Sequence, residues 1–349
     1  MKPEIYNKYV KPVLYKGEKK IVEDALNTPK RDISKNSKVM NYINKHGVYI
    51  TLTSSPKRLR KTAAALAIVL QNPHIRKVYL TLPKLYRNKT KYSQAAINFV
   101  KGVDKRITVR RPAQDIGPIT KMLPTLQMIR DKNAIVISMD DDICYPASLI
   151  NELIYYSVRY PNTIFTGSGF NWGDDGYDDS DIDRRLWPIR RKPRYPHVDI
   201  VEGWGMIAYK KRLLDLARMK RLSKLDTNCK LSDDLTISYV LAEKRVPMKV
   251  IVNRYYDDQG DLHPFEYGLQ EDALHRGSGL GTDVENANMV KYKACLELIN
   301  KKLKGKTAPS KTASSANKNK TVVQLKAQCK KKGIKGYSKM RKAELIRKC

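Results

Sequence analysis

The chain has 349 residues, 41% apolar and 30% charged, an ordinary globular composition that excludes a wholly disordered or collagen-like chain. No run nears the roughly 18 apolar residues of a membrane span, and the opening residues lack the apolar stretch of a secretory signal. The net charge is +33, and residues 301–349 carry 17 Lys/Arg against one acid, Glu344, so nearly half of the excess lies in the last seventh of the chain. Such asymmetry predicts a separate basic module with a polyanionic partner. Five scattered cysteines without a CxxC pair read as reduced thiols of a cytoplasmic protein.

Residues 1–46 are polar and lysine-rich and read as an N-terminal extension. From Gly47 a regular alternation begins: a strand over Val48–Thr53, a turn at Ser54-Ser-Pro56, and a helix over Lys57–Leu70. A second strand follows at Lys77–Leu82, a helix at Lys91–Val100 and a third strand at Arg106–Arg110. The helix expected at Pro118–Arg130 leads to Ala134–Met139, the most apolar strand, as suits a central parallel strand covered on both faces. Strands alternating with helices at this spacing predict an α/β fold with a mostly parallel central sheet flanked by helices. Further on come a helix at Pro146–Tyr160, strands at Thr163–Gly167 and Val198–Tyr209, and helices at Lys211–Lys220 and Asp233–Glu243. A last strand, Met248–Val252, and a closing helix, Asn286–Leu303, complete a domain over 47–303. Residues 304–320 form a basic, low-complexity linker, and 321–349 a small helical module.

The strongest chemical signal is Asp140-Asp141-Asp142, directly after the apolar strand. Ligands of open α/β sheets bind beyond the carboxyl ends of strands, and three adjacent carboxylates repel one another unless a cation offsets them. A hard divalent ion, Mn²⁺ or Mg²⁺, takes such oxygen ligands. The bland alternative is a solvated acidic turn or helix cap. Asp174–Asp183 fails as an EF-hand loop, because Arg184 stands where glycine is required, and it reads as a loop beside the acceptor.

Asp140-Asp-Asp-Ile-Cys-Tyr-Pro146 after a buried strand resembles the DxD motif of GT-A-fold glycosyltransferases, a Rossmann-related fold that uses nucleotide-sugar donors. Ile50–Arg58 resembles that fold's first strand and donor loop, and Asp115–Lys121 the approach to the DxD strand. Glu202–Tyr209 is similar to the strand lining donor and acceptor sites, and Leu231–Ser238 to the acidic helix start that supplies the base in inverting members. The resemblance implies that Thr53, Ser54, Arg58, Asp115, Lys121, Asp140, Asp141, Gly203 and Trp204 bind the donor. It further implies that Asp142, Asp140 and His275 hold the metal, and that Asp233 or Asp234 deprotonates the acceptor hydroxyl of a glycan or glycoprotein. The plain reading of Asp233-Asp234 is an acidic first turn favoured by the helix dipole, with Ser232 as cap. Gly277–Gly281 offers backbone N–H groups to phosphate, and Trp172, Trp187 and Trp204 either stack on sugars or pack the core.

Thr321–Ile346 resembles a SAP motif, a small DNA-binding helical module. Val323, Leu325, Ile334, Tyr337, Leu345 and Ile346 would form its core, with Lys330, Lys331, Lys332, Lys335, Lys339, Arg341 and Lys342 facing phosphates. Two functions follow. One is a metal-dependent, inverting transfer of a sugar from a UDP- or GDP-linked donor, with DNA as a partner of the tail. The alternative is a DNA-binding nuclease or nucleotidyltransferase that uses the same carboxylates for metal-assisted phosphoryl chemistry.

Overall fold

The apolar strands of the sequence assemble into one seven-stranded sheet in the computed structural model, which describes residues 1–28, 30–87, 89–171, 197–251, 263–265, 287–303, 321–331, 338 and 345. The strands are β1 (Val48–Leu52), β2 (Ile75–Thr81), β3 (Ile107–Arg110), β4 (Ile135–Ser138), β6 (Ile164–Thr166), β9 (Ile207–Lys210) and β10 (Met248–Val250). Their spatial order is β10-β6-β9-β4-β1-β2-β3, and only β9 runs antiparallel to its two neighbours. Every residue of β4 is buried, as the unbroken run Ile-Val-Ile requires of a strand covered on both faces. Two short antiparallel ribbons stand outside this sheet: β5 (Ile143–Cys144) with β11 (His263–Pro264), and β7 (Gly169–Phe170) with β8 (Ile200–Val201).

The chain divides into two units, Met1–Leu298 and Ile299–Cys349. In the first, residues 1–46 are built into the body. Around helices α1 (Pro3–Ile5), α2 (Glu18–Asn27) and α3 (Ser37–His46), this segment joins the same buried cluster as β1, β2 and β4: Val10 from the π-helical turn after α1, Val22 from α2, Ile33 from a 3₁₀ turn, and Val39 and Ile43 from α3. These anchors are sparse among lysines, so the segment's hydrophobic pattern is faint in sequence. Asn36 caps α3 by accepting the Val39 N–H.

Helix α4 (Thr62–Val69) is buried at all eight positions. It starts five residues later than expected, because 56–61 are used in turns that carry Arg58. Helix α5 (Gln94–Lys101) lies between β2 and β3 in the chain. The helix expected over 118–130 is split into a 3₁₀ turn, Pro118–Lys121, and α6 (Leu123–Met128), with Pro124 at the start of the second piece. Helix α7 (Ala147–Arg159) follows β5.

The single strand expected over 198–209 is broken into β8, a 3₁₀ turn at Gly203–Gly205, and β9. Gly205 has no room for a side chain, since a Cβ there would meet the Ser168 backbone, and Met206 turns the corner at φ +60°. Beyond β9 come α8 (Leu216–Leu222), α9 (Thr227–Lys230), α10 (Asp233–Glu243) and α11 (Ala287–Leu303). Among the described residues, no helix is long and apolar enough to cross a membrane.

Cys229 is bonded to Cys295, tying α9 to α11, and Cys329 is also disulfide-bonded, whereas Cys144 is a buried free thiol. This corrects the reading of all five as reduced thiols. A partner 66 residues away leaves no local spacing to recognise.

The second unit contains α12 (Val322–Lys331). Thr321 Oγ1 accepts the Gln324 N–H while Gln324 Oε1 accepts the Thr321 N–H, a reciprocal capping box. Leu325 and Cys329, one turn apart, are buried, as is Leu345. Val323, expected in this small core, is 77% exposed, because it lies off the Leu325–Cys329 stripe. Ile334, Tyr337, Ile346 and the linker 304–320 lie outside the described residues.

Candidate functional site

From β1 the chain moves to β2 and β3 on one side, while β4 lies on the other, so the strand order reverses between β1 and β4. The crevice beyond their carboxyl ends is where an open α/β sheet binds ligands. Both strand ends carry polar groups there: Thr53 and Ser54 after β1, and Asp140–Asp142 after β4.

Ser54 is buried; its hydroxyl donates to Asp141 Oδ2 and lies 3.0 Å from Thr62 Oγ1 at the start of α4. Its carbonyl accepts the Tyr92 hydroxyl at 2.8 Å. Arg58, from the turns before α4, reaches back with Nη1 2.6 Å from Asp142 Oδ2 and Nη2 3.1 Å from Asp141 Oδ1. One guanidinium therefore spans two carboxylates, a geometry its planar fork suits. Burial raises the pKa of Asp141 despite Arg58 and Ser54. Burial and then repulsion by Asp141 push Asp142 up to about 7. Negative charge here exceeds what Arg58 offsets.

A second group lies on the Asp140 side. Lys121, at the end of the 3₁₀ turn, is buried, with Nζ 2.8 Å from Asp140 Oδ1 and 3.0 Å from Asp233 Oδ2. Its carbonyl accepts the hydroxyl of Thr51 in β1, which fixes the turn to the sheet. Burial works against the ammonium, yet Asp140, Asp233 and Asp234 hold its pKa well above the ordinary lysine value. Asp233 and Asp234 occupy the first turn of α10. Asp234 Oδ1 accepts the Gly203 N–H at 2.9 Å, and Oδ2 accepts the Tyr292 hydroxyl at 3.1 Å. Burial, then Asp233, raise the pKa of Asp234 well above the carboxylate range. Ser232 makes no capping bond, and its hydroxyl oxygen is buried without a partner among the described residues, so the expected serine cap is not formed. Gly203 is required beside this group, since a Cβ there would fall on Lys121 Nζ and 3.1 Å from Asp234 Oδ1.

Ser54, Arg58, Asp141 and Asp142 thus form one cluster, and Lys121, Asp140, Gly203, Asp233 and Asp234 another, joined through the Asp140–Asp142 backbone. Thr53 follows β1 directly and is half-buried. Asp115 ties its own loop, accepting the Arg87 N–H at 2.6 Å and the Gly117 N–H at 2.8 Å. Gly117 stands at φ +83°, and a Cβ there would meet the Lys230 carbonyl. Trp204 is half-buried, with part of its side chain packed against the core. His275, Trp172, Trp187 and the 277–281 glycines lie outside the described residues. In the tail, Lys330 and Lys331 are exposed, while Lys332, Lys335, Lys339, Arg341 and Lys342 lie outside the described set.

The sequence did not single out Tyr145, whose hydroxyl accepts the Asp140 N–H at 3.0 Å. Nor did it single out Lys291 and Tyr292 in α11, which bring an ammonium and a hydroxyl to the acidic pair. Their signal would have been a buried polar pair on an otherwise apolar helix face that includes Cys295.

A run of three carboxylates, Asp141 buried and its two neighbours half-buried, with Asp142 pushed up to about 7 by burial and by Asp141, is chemically suited to a hard divalent cation. Among the described residues, no three His, Cys, Asp or Glu side chains converge on one point; Asp140 turns to Lys121 and Asp142 to Arg58.

The family model described as Rho termination factor, N-terminal domain, matches residues 318–348, rather than a SAP motif. A search of the curated proteins finds no match. Among solved structures, the chain is similar to 4-diphosphocytidyl-2C-methyl-D-erythritol synthase from Anaerococcus prevotii, at 12% identity and TM-score 0.36, over 60% of this chain and 88% of that one. It is similar to GalNAc-T7 crystallised with UDP, GalNAc and Mn²⁺, at 11% identity and TM-score 0.41, over 72% of this chain and half of that one. A further 4-diphosphocytidyl-2C-methyl-D-erythritol synthase matches at 10% identity and TM-score 0.40, over 64% and 95%.

Proposed function

We propose that the chain is a metal-dependent glycosyltransferase that moves a sugar from a UDP- or GDP-linked donor to a hydroxyl of a glycan or glycoprotein, with inversion at the anomeric carbon. The observation that carries this reading is the meeting of Ser54 and Arg58 from the end of β1 with Asp140–Asp142 from the end of β4, at the point where strand order reverses.

Thr53, Ser54, Arg58, Asp115 and Lys121 surround the nucleotide in this reading, and Asp140 takes the ribose. Asp142 and Asp140, with His275, would hold Mn²⁺ or Mg²⁺, which supplies positive charge against the departing diphosphate. Arg58 and Lys121 add fixed positive charge on the same side. Asp233 or Asp234 accepts the proton of the acceptor hydroxyl as its oxygen bonds to the anomeric carbon and the bond to the diphosphate breaks. Gly203 keeps the backbone close enough for its N–H to fix Asp234. The basic tail, including exposed Lys330 and Lys331, binds nucleic acid through phosphates and loses affinity with salt.

Calorimetric titration with UDP or GDP plus Mn²⁺ tests the donor site, and a screen of nucleotide sugars measures nucleotide release by wild type and Asp142→Ala. Binding to a nucleoside diphosphate, with release abolished in Asp142→Ala, is expected. No binding to any nucleoside diphosphate overturns the reading. Removing 304–349 separates it from a DNA-processing nuclease or nucleotidyltransferase, because sugar-donor turnover then persists, whereas a DNA enzyme loses most affinity for its substrate.

A further inference from the structure

The acidic pair at the start of α10 is met by a helix far from it in sequence. Helix α11 carries Tyr292, whose hydroxyl donates to Asp234 Oδ2 at 3.1 Å, while Gly203 fixes Oδ1 from the opposite element. Three residues after Tyr292, on the same helix face, Cys295 is bonded to Cys229 in α9, and α9 ends only three residues before Asp233. The covalent tie and the hydrogen bond therefore join the same two stretches of chain. Lys291, next to Tyr292, is 1% exposed and lies in the field of both carboxylates.

Building on the transferase reading above, we propose that Tyr292 is a positioning residue for Asp234, and that the Cys229–Cys295 disulfide holds its helix in place against the acidic pair. A carboxylate has several lone-pair sites, so two donors orient Asp234 without exhausting its capacity to take a proton. Freed of the Tyr292 hydroxyl, the side chain keeps, among the described residues, the Gly203 hydrogen bond alone and can turn. Hydrogen bonding to the ionised carboxylate also favours that form. The other groups facing Asp234 are Asp233 on its own helix, Lys121 from the 3₁₀ turn, Asp140 beyond β4, Glu202 after β8 and Lys291 on α11. Burial and Asp233 already oppose ionisation, which makes the Tyr292 donor consequential.

Tyr292→Phe keeps the ring and removes only the hydroxyl. Nucleotide release is measured across pH, alongside a ¹³C carboxyl NMR titration of Asp234 in the full chain. The expected result is about a tenfold loss in kcat with KM for the donor unchanged, and an acid limb moved up by about one pH unit, as loss of one charge-assisted hydrogen bond implies. The NMR midpoint of Asp234 moves up by the same amount. Cys229→Ser/Cys295→Ser produces the same directions of change through the loosened helix. A wild-type kcat, limb and NMR midpoint in Tyr292→Phe overturn the positioning role. Unchanged turnover in the serine pair with a lowered thermal midpoint overturns the role of the disulfide. Wild-type protein without donor turnover overturns the transferase reading instead, and full turnover in Asp234→Asn excludes Asp234 as the base; in both cases the NMR titration still decides whether Tyr292 holds Asp234.

Discussion

Asp142→Asn should make the metal-free protein more stable, and increasingly so as pH rises. Asp142 is pushed from 3.8 to about 7 by burial and by Asp141, with Arg58 opposing. A carboxyl raised in this way keeps its proton in the folded state where the unfolded chain has lost it, so stability falls as pH climbs through the window from about 4 to 7. At about 1.4 kcal/mol per unit, this one group costs about 2 kcal/mol at pH 5 and about 4 kcal/mol above pH 7. Asparagine has nearly the same shape, can still accept from Arg58 through its carbonyl oxygen, and does not titrate. Its advantage over wild type should be small near pH 4 and level off at about 4 kcal/mol by pH 8, with Asp141 relieved of a neighbouring charge as well. Urea unfolding with a chelator present, at pH 4, 5, 6 and 8, reads this as a midpoint gap that widens with pH at unchanged slope. Added Mn²⁺ should stabilise wild type at pH 8 and leave the variant nearly unaffected, while the variant loses nucleotide release. A variant less stable than wild type at pH 8, or a gap independent of pH, would refute the reasoning.

Lys121→Met leaves Asp140 and Asp233 without their shared ammonium, and a loss of about 3–5 kcal/mol in unfolding free energy is expected, as for a buried pair deprived of one partner. Adding Asp233→Asn should recover part of that loss in a double-mutant cycle; strict additivity would show that the two side chains do not interact. Gly203→Ala places a methyl on Lys121 Nζ, so a destabilisation of about 1–3 kcal/mol and reduced nucleotide release are expected from thermal melts and turnover. Lys210, far from the site in β9, is held at about 8 by burial. Because the unfolded chain keeps its proton up to 10.5, stability should rise between pH 8 and 10.5 by up to about 3 kcal/mol. Lys210→Met should abolish that slope in alkaline unfolding curves.

What the sequence revealed of this molecule was whatever is written locally. The run Ala134–Met139 names a covered strand by composition, and the acids that follow it stand at the strand's end in the structure. Ser54 and Arg58 were singled out through the resemblance of Ile50–Arg58 to a donor loop, and both reach the carboxylates after β4. The residues missed belong to pairings over long stretches of chain. Tyr292 meets Asp234 across 58 positions, and Cys229 finds Cys295 across 66. No periodicity encodes such distances. The break at Gly203–Gly205 was missed for another reason: alternation continues on both sides of it, and only the close approach of Ser168 and Lys121 shows why two glycines interrupt the strand. Asp115, named as a donor contact through the resemblance of 115–121, also holds its loop backbone, a role that no local pattern announces.

The way the first 46 residues are built into the body bears on how the protein can be handled. A shortened version beginning at Gly47, a natural choice from the motif positions, would remove Val10, Val22, Ile33, Val39 and Ile43 and bare the apolar side chains beneath them. Exposed surface of that kind promotes self-association, so such a truncation should precipitate on expression even though every motif residue is retained.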